Sequence, residues 1–263
     1  MLRADDIDEQ IKIVQKALKS EDYDTALKAA NKVVELDPKS PRGYYIRGEV
    51  FGAQRKHKEA IEDYNKAHDL DKKFLAAVNQ RGGEQFKLGK IKESIEDFDT
   101  FLKDNPREFD SHWRRGISLY YVGKFDEGAK QFKAGEKVFG DDVENAFWHY
   151  LCNARADGVE KARKALLKVG PDARIPMMKV YELIEGKCKP ADVIEQAEKA
   201  DEKRQSRNEM LFYANLYVAL NYEAEGNEKK CIEHLETAVK KHKIGHYMWD
   251  VGNVHLQLLQ KKK

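Results

Sequence analysis

Through residues 1–142, small and apolar side chains return at helical rather than strand spacing. Ala26, Ala30 and Val33 stand at i, i+4 and i+7, as do Ala60, Tyr64 and Ala67, and again Ser94, Phe98 and Phe101. On an α-helix that spacing lines one face and leaves the charged positions between to solvent. Each of these helices follows another of the same periodicity, with a turn that falls on Gly89 and Gly123. Pro38 and Pro106 stand where a helix has just ended. The pattern predicts antiparallel helix pairs and no sheet, with about thirteen helices along the chain.

The pairs return at a fixed interval. Arg47-Gly48, Arg81-Gly82 and Arg115-Gly116 are 34 residues apart, and frames at 7–40, 41–74, 75–108 and 109–142 align without a gap. Glycine inside a helix costs about 1 kcal/mol relative to alanine. Its return at one register therefore points to two backbones that must approach closely.

The interval and its residues resemble the tetratricopeptide repeat, a helix–turn–helix unit with the pattern W-x2-L-G-x2-Y, then A-x3-F, then P. The matching residues are Gly48, Gly82 and Gly116, then Ala26 and Ala60, then the two prolines. Tyr44, Val78 and His112 stand at the leading Trp position, and Gly128 replaces the second-helix alanine. The resemblance implies an all-α, right-handed superhelical solenoid of antiparallel helix pairs with a C-terminal capping helix.

Regularity fails after Asp142. VENAFWHYLCNARADG reads as a first helix and VEKARKALLKV as a shortened second, before Pro171 and Pro176 break the chain. MKVYELIEG and PADVIEQAEKADEKR follow, with Pro190 at a helix start. A clear unit returns at 212–245 with Gly226 at its turn, and HYMWDVGNVHLQLLQ covers the end of the stack. The expected organisation is four regular units over 1–142, degenerate helices over 143–206, and a last unit with its cap over 207–263.

Residues 40–259 have a narrower resemblance, carried by Leu119, Tyr120 and Tyr121, the aromatic WHYL and the degenerate middle. They resemble bacterial cell-envelope lipoproteins of this repeat class that serve as adaptors for a C-terminal-processing protease. That implies a homodimeric scaffold, with the protease or its substrate as partner. Apolar residues at the two ends (Leu2, Ile7 and Ile11; Leu256 and Leu259) are the surface such a dimer would use.

Composition changes the picture little. Charged residues are 36% and the net charge is +2, so neither a polynucleotide nor a membrane surface is indicated as partner. No apolar run is long enough to span a membrane. Without an N-terminal leader the chain reads as cytoplasmic, and as periplasmic or envelope-bound if a leader has been removed. Cys152, Cys188 and Cys231 have neither zinc nor redox-motif spacing, and no cofactor or metal is expected.

In the resembling fold, first helices line a concave groove. The residues of this chain at those positions are Arg42, Tyr45 and Glu49, then Asn79 and Phe86, then Trp113, Ile117 and Tyr120, then Phe147 and Leu151, with Arg114 beside them. Trp113, Ile117 and Tyr120 form one helical stripe. Two readings stay open: a strip that binds a partner peptide or protein, or a face packed against the irregular middle. The chaperone-type carboxylate clamp of Lys, Asn and Arg is not matched. His149 and Cys152 lie one turn apart, the arrangement a thiol nucleophile with a base would need, but buried structural cysteine is commoner. His242 and His246 read as a solvated turn. The leading expectation is a non-catalytic interaction scaffold; a nucleic-acid-binding helical repeat comes second and an enzyme last.

Overall fold

A computed structural model describes residues 2–261, with side chains from residue 5 onward. Leu2, whose side chain was expected at an apolar end, and Lys262 and Lys263 of the terminal lysine run lie outside the described side chains. Every regular element among the described residues is helical. The described residues hold fifteen α-helices, two more than the periodicity suggests, and four of them lie in the irregular stretch. The chain forms two compact units, residues 1–106 and 107–263.

The first unit holds three helix pairs: α1 (Leu2–Lys19) with α2 (Tyr23–Leu36), α3 (Pro41–Ala53) with α4 (His57–Leu70), and α5 (Leu75–Lys87) with α6 (Ile91–Asp104). Their starts follow from local chemistry. The Asp22 side chain accepts from the Thr25 amide at 3.1 Å, satisfying one of the donors a helix start leaves unpaired. Pro41 occupies the first turn of α3, where its missing N–H costs nothing.

The turns inside the pairs share one conformation. Glu21, Arg55 and Gly89 all have positive φ, at 57°, 61° and 74°. They stand 34 residues apart, so the turn geometry is kept even where the sequence has not supplied glycine.

The repeated Arg-Gly pair has a structural explanation on both residues. A Cβ on Gly48 would lie 2.7 Å from the Tyr64 ring, and one on Gly82 would lie 2.8 Å from the Phe98 ring. Each arginine reaches the residue just before that ring. Arg47 makes a two-point pair with Asp63 at 2.7 and 2.8 Å, and Arg81 the same with Asp97 at 2.7 and 2.5 Å. Each also donates backward to an asparagine, Asn31 at 3.1 Å and Asn65 at 2.6 Å. Glycine admits the aromatic ring, and arginine ties its own pair to the one before.

The second unit opens with the same device. Helix α7 (Trp113–Tyr121) packs on α8 (Phe125–Gly135), and a Cβ on Gly116 would meet the Phe132 ring at 2.7 Å. Arg115 donates to Gln131 at 3.2 Å. Next come α9 (Val143–Asp157) and α10 (Val159–Lys164), α11 (Met177–Ile184) and α12 (Pro190–Lys199), and α13 (Arg207–Ala224) with α14 (Glu228–Glu236). A π-helical turn at Thr237–Lys241 leads to α15 (Tyr247–Gln260). Gly128 replaces the usual alanine because the Cys152 thiol fills the space: a Cβ there would stand 2.9 Å from Sγ.

Ile7, Ile11, Leu256 and Leu259, expected to join two chains, pack within the fold. Ile11, Leu256 and Leu259 are buried, and Ile7 packs half-buried against the first core cluster. Among the described residues the exposed large apolar side chains are Phe109 and Val138.

Candidate functional site

In the second unit, α7 starts at His112, whose Nδ1 accepts from the Arg115 amide at 3.3 Å. Burial, reinforced by Arg114, lowers the His112 pKa to about 4, so the ring is neutral and able to accept. Trp113 then stands half-buried, edge-on to Tyr247 of α15 with ring centres 5.2 Å apart. One turn on, Ile117 is buried, and so is Tyr120. The Tyr120 hydroxyl donates to Glu223 of α13 at 2.5 Å, and Glu223 also pairs with Arg155 at 2.8 Å.

Phe147 and Leu151 on α9 are wholly buried, and the Phe147 ring lies 4.7 Å from that of Tyr217. Of the aromatic stripe read from the sequence, Trp113 alone keeps appreciable exposure; Ile117, Tyr120, Phe147 and Leu151 are core. The covering comes from α13 and α15 and, on α9, also from α11 of the irregular middle, as one of the two readings expected. Arg114 sits half-buried beside the stripe.

What stays open on this face is a cavity of ≈ 210 Å³ between α7, α8, α9 and α15. Trp113, Ile117, Phe132, Phe139 and Met248 give it apolar walls, and Asn145 and Trp148 line it as well. Asn145 Nδ2 donates to the Phe132 carbonyl at 2.9 Å, leaving its Oδ1 buried with no partner from the chain. The Trp148 indole N–H is likewise buried and unpartnered. A buried donor or acceptor left unmade costs about 1–3 kcal/mol; neither atom opens onto the cavity, and Asn145 Oδ1 packs against Gly135.

One rim of the cavity is charged. Arg174 is held by Asp142 at 2.6 Å, Glu144 at 2.5 Å and Asp172 at 2.6 Å. Burial raises the Glu144 pKa against the pull of Arg174, and Glu144 also accepts from the Tyr217 hydroxyl. Three carboxylates on one guanidinium leave this rim acidic.

Among the cavity residues, Asn145, Trp148 and Arg174 carried no signal of this site in the sequence. Asn145 and Trp148 are three apart on α9, but nothing in their spacing marks them as unpaired. Arg174 lies in a stretch broken by prolines, where no periodicity assigns a face.

In the first unit the expected groove residues are more open. Arg42 is exposed, and Tyr45, Glu49 and Asn79 are half-buried, while Phe86 is buried. Tyr45 packs between Tyr64 and Phe74, with ring centres at 5.8 and 5.4 Å. Burial raises the Glu49 pKa, against a hydrogen bond from Tyr45. At the next position along this face, Gly52 leaves room for Glu84, which is buried and bound by His57 at 2.6 Å and Lys87 at 2.7 Å.

The thiol–imidazole pair lacks what a nucleophile needs. Cys152 is fully buried, and desolvation pushes its pKa far up, keeping the thiol protonated. His149 is buried too, its pKa lowered to about 4 by burial and by Lys133. Its ring nitrogens lie 3.3 and 3.2 Å from Asn153 Nδ2. His242 and His246 turn to different partners, Asn208 and Tyr213, each at 3.2 Å. Among the described residues no cluster of three or more candidate metal ligands occurs.

Comparison with known proteins agrees with the geometry. Residues 11–73 match the family model described as tetratricopeptide repeat. A small glutamine-rich tetratricopeptide repeat-containing protein 2 from Mycosarcoma maydis is 35% identical over 27% of this chain and 20% of its own length. The DnaJ homolog subfamily C member 3 of Bos taurus is 36% identical over 39% of this chain and 20% of its own. The chain thus spans about a fifth of these curated relatives. A tetratricopeptide repeat protein from Parabacteroides merdae covers 97% of this chain and 99% of its own, with a TM-score of 0.59 at 14% identity. The Pseudomonas aeruginosa pilF structure covers 100% of both at a TM-score of 0.55 and 16% identity.

Residues 11–73 thus carry tetratricopeptide repeats, and the chain as a whole has the fold of tetratricopeptide repeat proteins. Repeats of this class are in general protein-binding scaffolds. No helix among the described residues is long and apolar enough to cross a membrane.

Proposed function

We propose that the protein is a non-catalytic adaptor that takes a peptide segment of a partner protein, with Trp113 as the anchor in the second unit. The observation that carries this is the half-open Trp113 lining a cavity with apolar walls. Interface hot spots concentrate on such residues: large, aromatic and set in a pocket. Arg114 lies beside it as a polar contact. In the first unit Arg42, Tyr45, Glu49 and Asn79 offer a second, more polar surface.

Partner identity follows only by resemblance, as a C-terminal-processing protease or its substrate. Self-association into a homodimer belongs to the same resemblance; of the end residues invoked for it, Ile11, Leu256 and Leu259 are buried in the fold. A cytoplasmic location is supported by three unpaired cysteines, the usual state in a reducing compartment.

The test is a selection of peptides from a displayed random library on the full chain. Selected peptides are expected to bind wild type and to lose affinity with Trp113→Ala at unchanged helicity. A selection that enriches nothing, or enriches peptides indifferent to Trp113 and to Tyr45, overturns the reading.

A further inference from the structure

We infer that the cavity between α7, α8, α9 and α15 receives an apolar side chain of a partner segment in which a neighbouring residue is lysine or arginine. This deepens the adaptor reading and rests on it for the peptide nature of the ligand.

Size and walls choose the side chain. At ≈ 210 Å³ the cavity falls below the roughly 300 Å³ at which pockets for drug-sized molecules begin, and it suits a single residue. Trp113, Ile117, Phe132, Phe139 and Met248 give it apolar walls. A charged side chain placed against them would lose its hydration.

The charge that solvent can reach chooses the neighbour. Asp142, Glu144 and Arg174 line the cavity, and Asp172 completes their cluster. Every guanidinium nitrogen of Arg174 is engaged: Nε with Asp172 at 3.0 Å, Nη1 with Glu144 at 2.5 Å, and Nη2 with Asp142 and Asp172, each at 2.6 Å. It has little left to offer an incoming carboxylate. Asp142 differs. Its Oδ1 accepts from Arg174 and from the Glu144 amide, at 2.6 and 2.8 Å. Its Oδ2 has no partner among the described residues, and the side chain is 33% exposed. The lining thus offers an open carboxylate oxygen, which calls for a donor.

The local charge balance agrees. Even with Glu144 protonated, the form its burial favours, Asp142 and Asp172 outweigh Arg174. His246, also in the lining, accepts at Nδ1 from the Met248 amide at 3.4 Å, a role closed to an imidazolium. Arg114 stands beside the stripe and does not line the cavity. A cation is therefore favoured at this place, although the whole chain carries +2 and would by its net charge prefer an anion.

The experiment uses three acetylated and amidated tripeptides that share a central leucine: Lys-Leu-Lys, Gln-Leu-Gln and Glu-Leu-Glu. Nitrogen-edited NMR of the full chain follows the Trp113 indole signal, assigned by its loss in Trp113→Phe. Lys-Leu-Lys is expected to move that signal saturably, with an apparent affinity at least about tenfold above that of Glu-Leu-Glu and with Gln-Leu-Gln between them. Salt at about 1 M, where screening acts within ~3 Å, should narrow the spread. Asp142→Asn should narrow it too, while keeping an acceptor for the Glu144 amide; if that variant fails to fold, Asp142→Ser, also a good helix cap, takes its place. Equal affinities, a preference for Glu-Leu-Glu, a spread untouched by the neutral variant, or a Trp113 signal that no probe moves overturns the inference. Library peptides that need Trp113 but carry no basic residue beside their apolar anchor would overturn it as well and leave the adaptor function standing. The expected order of probes together with a library that enriches nothing would do the reverse.

Discussion

Tyr45, Asn79, Trp113 and Phe147 occupy the same register of successive repeats, yet the first three are half-buried and the fourth is wholly buried. In the unit over 1–106, α3 and α5 keep that face partly open at Tyr45 and Asn79, whereas Ile11 of α1 at the same register is buried. In the unit over 107–263 the face of α7 and α9 receives α13, through Tyr217 on Phe147 and Glu223 on Tyr120, and α15, through Tyr247 on Trp113. One repeat pattern therefore yields a binding surface or a core, depending on what the rest of its unit sends to meet it. Aromatic content follows the difference: all three tryptophans lie in the second unit.

Truncation at that shared register should separate the two outcomes most strongly. Phe147→Ala removes a fully buried ring and should cost roughly 3–5 kcal/mol. Tyr45→Ala, at a half-buried ring, should cost about 1–2 kcal/mol. Equal losses in chemical denaturation would erase the distinction between core and surface.

Acid should break the second unit first. His112 and His149 both lie there, buried, with pKa lowered to about 4. A histidine depressed in the fold stabilises it above its unfolded value near 6.5, and that stability is lost as pH falls from about 6.5 toward 4. Each should withdraw roughly 3 kcal/mol by pH 4. Tryptophan fluorescence, which reads only the second unit, should therefore lose its native signal at higher pH than far-ultraviolet helicity. His112→Asn keeps a good helix cap and should flatten the profile. Coincident acid transitions in wild type would contradict the assignment.

The glycine packing shared by both units gives a smaller effect. Gly82→Ala places a Cβ 2.8 Å from the Phe98 ring and 3.1 Å from the Ser94 carbonyl, and should cost about 1–3 kcal/mol. Gly116→Ala should behave alike against Phe132. If one is neutral while the other destabilises, the two units do not pack their repeats in the same way. Smallest, Glu21→Gly should stabilise the first unit by about 0.5–1 kcal/mol, because glycine reaches positive φ without strain. A drop in melting temperature would show the turn is not strained.

How much of this could be read from the chain depends on locality. Gly48, Gly82 and Gly116 announce the helix pairs because their partners lie sixteen residues on in every unit: Tyr64, Phe98 and Phe132. The arginines carry the same signal through Asp63, Asp97 and Gln131, and it was legible though unread. The fate of Ile117, Tyr120, Phe147 and Leu151 was not legible. An apolar stripe is the same pattern whether a ligand or another helix covers it, and Glu223 and Tyr217 come from the far end of the chain.

The central claim is that Trp113 anchors a ligand while its buried register-mate Phe147 holds the fold. Titration calorimetry of a selected peptide, paired with thermal melts of the same samples, tests it most directly. Trp113→Ala should weaken binding by about thirtyfold, roughly 2 kcal/mol, with the melting temperature nearly unchanged. A sharp fall in melting temperature with binding intact would make Trp113 another core residue and contradict the account.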